Sequence, residues 1–178
     1  KEVGLDDLNG KIVVANFFFT SCPSICPKLT RNMKRLQDAF KKTDTIVRFV
    51  SFTVDPERDS VQKIKAYGDK FSIDHDTWWM LTGDRKVIYD VALNEFKASI
   101  ASEGNIDTGF IHTEKFFLLD RDKVVRGWYN GLDSVKFGHK NGIPVPADYD
   151  GDGILDVCFF RKDNSLWQSS LGNIPLQV

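Results

Sequence analysis

In Ile12-Val13-Val14-Ala15-Asn16-Phe17-Phe18-Phe19-Thr20-Ser21-Cys22-Pro23-Ser24-Ile25-Cys26-Pro27, a nearly unbroken apolar run leads into two cysteines and two prolines. A run of that length bounded by turn residues suits a strand buried on both faces, as in a parallel sheet. Pro27 fits the first helical position, where its missing N–H has no intrahelical acceptor, and Leu29, Met33, Leu36 and Phe40 then recur on one helical face. The cysteines therefore lie between a first strand and a first helix. Outward from there, Ile46 to Val54 is a second buried strand, and Asp59 or Ser60 caps a helix carrying Val61, Ile64 and Tyr67. Trp78-Trp79-Met80-Leu81 is a short strand, with both tryptophans expected in the core, and a third helix runs from about Asp84 to Phe96. Lys115 to Leu119 and Val124 to Tyr129, joined by Asp120-Arg121-Asp122-Lys123, form a hairpin. The order β-α-β-α-β-α-β-β predicts an α/β sandwich with a mixed central sheet flanked by helices.

The whole chain has 178 residues, of which 42% are hydrophobic and 28% charged, with formal net charge −1. Such a composition excludes disorder, collagen and coiled coil, and the near-neutral balance lacks the basic footprint of a nucleic-acid or anionic-membrane binder. The longest apolar run, Ile12 to Phe19, falls far short of the ~20 residues that span a bilayer. The chain opens at Lys1 without Met, so a leader or anchor can precede it.

Three cysteines are too few for a disulfide scaffold and odd in number, so the useful question is which two belong together. Cys22 and Cys26 stand at i,i+4, a spacing that puts both sulfurs on one face of a helical turn. A helix N-terminus stabilises thiolates through its unpaired N–H groups and dipole, and strand ends of open α/β sheets are where ligand sites form. A structural disulfide or two buried thiols would satisfy the same spacing.

Phe17 to Pro27, Val54-Asp55-Pro56-Glu57-Arg58-Asp59 and Phe110-Ile111-His112-Thr113 occur in that order on matching elements. Together they resemble the Sco/SenC family, copper-binding proteins of thioredoxin-like fold, over about residues 5–131. The resemblance implies that Cys22, Cys26 and His112 bind copper, with His112 in the loop where thioredoxins carry the proline that faces their cysteines. The chemistry agrees: thiolates are soft ligands that suit Cu(I), and an added imidazole lets the site accept Cu(II). Three ligands leave copper open to an incoming thiolate or imidazole. By itself His112 reads as a hydrogen-bonded structural residue. Asp55 either assists a ligand or partner from the second shell or simply leaves the strand and caps the next turn. His75 reads as a solvated loop residue.

Past Asp133, glycines and prolines crowd the chain, excluding a long helix and placing a seam between segments 1–133 and 134–178. Asp148-Tyr149-Asp150-Gly151-Asp152-Gly153-Ile154-Leu155-Asp156 fits DxDxDGxxD, an oxygen cage for a hard cation such as Ca²⁺. Counting from Asp148, loop position 12 is Phe159, so an EF-hand is excluded. The stretch from Val135 to Trp167 resembles one FG-GAP/VCBS-type repeat, a β-propeller blade, in which Asp148, Asp150, Asp152 and Asp156 give side chains and Ile154 a carbonyl to calcium. One blade has no neighbour to bury its faces. Ile154 to Phe160 and Trp167 are therefore expected to cover the sheet face that a C-terminal helix usually covers in the Sco/SenC domain; the alternative is a composite or truncated chain. Cys158 reads as a buried apolar thiol.

The resemblance implies a copper metallochaperone delivering to the CuA centre of cytochrome c oxidase, with the oxidase's copper-bearing subunit or another copper-accepting envelope protein as partner. No turnover is required for that role. The enzyme-class rival is a thiol-disulfide oxidoreductase using Cys22 and Cys26 on an envelope protein. An adhesive role for the calcium blade is the third reading. Location is expected to be extracytoplasmic, in the periplasm, on an inner-membrane tether outside this chain.

Overall fold

The structure, a computed structural model, describes residues 2–41, 46–97 and 113–132, and the backbone of four short strands within 142–174. A single 3₁₀ turn, Leu5–Leu8, leads into β1 (Ile12–Phe18), α1 (Ile25–Ala39), β2 (Val47–Thr53), α2 (Val61–Lys70), β3 (Trp78–Leu81) and α3 (Arg85–Asp90). A π turn, Val91–Glu95, extends α3, and β4 (Lys115–Leu119) and β5 (Val125–Asn130) follow. These five strands form one sheet in the order β3-β2-β1-β4-β5, parallel across β3-β2-β1 and antiparallel across β1-β4-β5. This is the mixed sheet expected from the order of elements.

Every residue of β1 is buried, as its unbroken apolar run requires of a central strand. One face carries Ile12, Val14, Phe49, Trp78, Phe116 and Leu118, packed on Leu29, Met33 and Leu36 of α1 and on Phe40, its C-cap. The other carries Val13, Ala15, Phe17, Val50, Phe117 and Leu119, packed on Ile88, Tyr89, Ala92 and Phe96. Phe17, Phe96 and Phe117 meet edge to face with centroids 5.1–6.0 Å apart, which accounts for part of the phenylalanine richness. Three buried polar side chains of the sheet pair through Ser51, whose hydroxyl donates to Asn16 Oδ1 (2.6 Å) and accepts from the Trp78 indole (2.8 Å).

Several expectations need correction. α1 starts at Ile25, two residues before Pro27, because any position of the first turn tolerates a missing N–H. Ser60, not Asp59, caps α2 by accepting from the Lys63 N–H (3.3 Å), and Val61 faces solvent at 63% exposure. Trp78 is fully buried, whereas Trp79 is only half-buried, with the Arg48 guanidinium 4.9 Å over its ring. His75 is not merely solvated: its Nε2 pairs with Asp69 Oδ1 at 3.0 Å.

Past residue 132 the described backbone contains strands only. β6 (Gly142–Pro144), β7 (Cys158–Arg161), β8 (Leu166–Ser169) and β9 (Gly172–Ile174) pair in sequential order as a separate antiparallel sheet. Among the described residues, no helix is long and apolar enough to cross a membrane.

Candidate metal centre

Cys22 lies outside α1. It closes a turn after β1, its N–H donating to the Phe19 carbonyl (3.3 Å), two residues before the helix N-cap, Ser24. The sequence expectation of two cysteines on one helical turn is corrected here: only Cys26 is helical. The sulfurs meet nonetheless, because the Ser24 side chain makes no capping bond and Cys22 Sγ takes the free helix-end Cys26 N–H at 3.4 Å.

This placement divides the pair chemically. Burial pushes the Cys22 thiol up, but donation from the Cys26 backbone and thiol and from the Ser24 and Ile25 backbone outweighs burial, leaving its pKa below the usual thiol value. Burial pushes the Cys26 thiol up to about 12, and its hydrogen bond and charge contact with Cys22 push the same way. Of the two, Cys22 therefore loses its proton first, and the Cys26 thiol steadies the resulting thiolate. Both cysteines are free and buried, under Phe18, Ile64 and Tyr67.

A hydroxyl chain runs beneath them. Thr30 Oγ1 donates to the Cys26 carbonyl (2.8 Å), which uses its only proton, so the Tyr67 hydroxyl donates to Thr30 across 3.0 Å. Burial, reinforced by the nearby sulfurs, pushes Tyr67 up to about 12, so it stays a neutral donor. On the strand side stands Asp59, fully buried, whose Oδ2 accepts from the Thr20 N–H (2.9 Å) and the Thr53 hydroxyl (2.7 Å), and whose Oδ1 accepts from the Thr20 hydroxyl (2.5 Å).

Asp55, the sequence candidate for an assisting carboxylate, is buried just past β2. Its N–H donates to Thr53 Oγ1 (3.1 Å), Arg58 Nη1 lies 3.7 Å from its Oδ2, and that oxygen has no hydrogen-bond partner among the described residues. Cys22 and Cys26 are thus brought together, while His112 and the calcium-type residues Asp148, Asp150, Asp152, Ile154 and Asp156 lie outside the described residues. Among the described residues no cluster of three or more His, Cys, Asp or Glu side chains forms a metal cage. Thr20, Thr30, Tyr67 and the buried role of Asp59 were missed in the sequence. The only signal was the second Asp of Asp55-Pro56-Glu57-Arg58-Asp59, which served equally well as a cap.

The SCO1/SenC family matches residues 1–139 of the chain, eight residues beyond the 131 expected from the motifs. The SCO1 homologue of Bacillus subtilis is 36% identical over 138 residues, covering 77% of this chain and 71% of that protein. Other curated relatives are spanned over 45–62% of their length. Among solved structures, BsSco, a member of the Sco family of cytochrome c oxidase assembly proteins with an identified disulfide switch, superposes with TM-score 0.63 at 36% identity, covering 75% of this chain and 77% of that one. Arabidopsis thaliana ScoI with copper bound superposes with TM-score 0.60 at 28% identity, covering 76% of this chain and 85% of that one. These likenesses bear out an α/β thioredoxin-like fold for the five-stranded part. By its motifs, its fold and this match, the chain belongs to the SCO1/SenC family.

Proposed function

We propose that this protein is a copper metallochaperone that takes part in cytochrome c oxidase assembly and hands its metal to the oxidase's CuA-bearing subunit or another copper-accepting envelope protein. The observation that carries the proposal is the Cys22 and Cys26 pair, two free cysteines joined at a helix N-terminus by the Cys26 N–H to Cys22 Sγ bond. Two soft sulfur donors fit Cu(I), and family members have been solved with copper bound. His112 is proposed as the third ligand and the buried Asp55, with its free oxygen, as the acceptor that orients a ligand N–H. Copper is cargo here, so no turnover is required.

A thiol-disulfide oxidoreductase is the second reading, favoured by the pair's split in acidity and by the disulfide switch identified in BsSco. In that case the Cys22 thiolate attacks a substrate disulfide and expels one substrate thiolate; Cys26, after losing its proton, attacks Cys22 and releases the second. The net result is a reduced substrate and an oxidised Cys22–Cys26 pair. His112→Ala separates the two: the chaperone reading expects loss of tight Cu(II) binding with disulfide exchange intact, and the reverse pattern favours the oxidoreductase.

For residues 134–178 we propose a single FG-GAP/VCBS-type blade with Ca²⁺ held by Asp148, Asp150, Asp152, Asp156 and the Ile154 carbonyl, packed on the thioredoxin-like sheet through Ile154 to Phe160 and Trp167. Support comes from the sequential antiparallel order β6-β7-β8-β9 and from the acidic loop falling between β6 and β7. Calorimetry with CaCl₂ on the full chain tests the cation, and deletion of residues 134–178 tests the packing. An unchanged melting temperature after deletion overturns the packing. An extracytoplasmic location on a membrane tether completes the proposal, as the family resemblance implies, and fractionation of the full-length protein tests it.

A further inference from the structure

Asp59 is fully buried, and its carboxylate takes three hydrogen bonds, two of them from Thr20. α2 does not need it as a cap, because Ser60 performs that role. Lys63 Nζ is 3.7 Å from Oδ1 and half-exposed, a weak counter-charge for a carboxylate with no contact to solvent. Burying an anion is costly unless several donors converge on it, so a carboxylate in this place has a positional use beyond stability. Its donors show what that use is. Thr20 is the second residue of the turn that ends in the Cys22 N–H to Phe19 carbonyl bond, and Asp59 grips it by both backbone and hydroxyl. On the other side Asp59 holds the Thr53 hydroxyl, which accepts the Asp55 N–H, and the Asp59 N–H donates to the Asp55 carbonyl (2.9 Å).

We infer that Asp59 is a positioning residue for the thiol pair: its carboxylate clamps Thr20 and so fixes the turn from which Cys22 meets Cys26, in register with the Asp55 turn. The inference rests on the copper reading of that pair, and the test separates the two. Cu(I) affinity is measured anaerobically on the reduced full chain by competition with a chromophoric chelator. Thr20→Val, which removes a donor without changing charge, and Asp59→Asn each weaken binding by about ten- to a hundredfold, the loss typical when a ligand's support is removed. Thr20→Ser, which keeps both donors, binds like the parent. Gln37→Ala supplies a destabilised control, because Gln37 makes its hydrogen bonds to Asp74 and Thr77 rather than to Thr20 or the cysteines. It binds like the parent as well. Should Asp59→Asn fail to fold, Thr20→Val with Thr20→Ser carries the test. Parental affinity in Thr20→Val, or an equal loss in Gln37→Ala, overturns the inference alone; a parent chain that binds no Cu(I) overturns the copper reading and the inference with it.

Discussion

The two ends of the parallel strands β1–β3 are tied by buried side chains of different chemistry. At their N-terminal ends Gln37, 5% exposed, donates to the Asp74 carbonyl and the Thr77 hydroxyl (2.7 Å each) and accepts the Asp74 N–H (3.2 Å). At their C-terminal ends Asp59, 0% exposed, takes Thr20 and Thr53. An amide carries donors and acceptors of its own and closes its accounts with neutral neighbours, whereas a buried carboxylate forces every neighbour to donate. The charged device stands at the end where open α/β sheets present their sites, directly behind the cysteine turn. The neutral one stands where strands only have to be held together. Polar burial thus serves position at one end and cohesion at the other.

Three substitutions test that contrast. Cys22→Ser acts at the functional end only: Cu(I) affinity falls by more than about a hundredfold, beyond the loss typical of a residue that merely orients a ligand, while the thermal midpoint stays near that of the parent. Chelator competition and calorimetry on one preparation check both halves. Gln37→Ala has the opposite signature: it strands the Asp74 N–H and lowers stability by roughly 1–3 kcal/mol in urea denaturation, leaving copper affinity in place. Cys26→Ala removes the second proposed copper ligand, so Cu(I) affinity falls as in Cys22→Ser; its effect on stability is small and is read at alkaline pH. Burial pushes the folded Cys26 thiol up to about 12 from an ordinary value of 9.0, so the unfolded chain loses that proton first. The stability it contributes is complete below pH 9 and drains away between pH 9 and 12. In the reduced protein Cys26→Ala makes that alkaline fall in melting temperature shallower. Part of it persists, because Tyr67, raised from 10.0 to about 12, drains in the same sense from pH 10 upward.

The sheet was legible because its signals are local. The apolar run Ile12 to Phe19, the 3.6-residue recurrence of Leu29, Met33 and Leu36, and the hairpin around Asp120 each need only neighbouring residues. The cysteine pair was legible through its spacing and its place between strand and helix. The role of Asp59 was not: its partner Thr20 lies 39 residues away, and an Asp ahead of a helix is equally well read as a cap. Val61 was misplaced for a related reason. Helical spacing groups it with Ile64 and Tyr67, but it is the first residue of α2 and stays exposed. The helical-face reading of Cys22 failed because the chain completes a turn before α1 begins, and the sulfur reaches the helix end from outside.

Cys22 and Cys26 are proposed to form a copper site only as free thiols. Anaerobic Cu(I) titration, followed by the thiolate-to-copper absorption bands, tests it on reduced protein and on protein whose pair has been oxidised to the disulfide. One copper per chain is expected in the reduced form and none bound tightly in the oxidised form. Equal binding by both forms, or none by the reduced form, contradicts it.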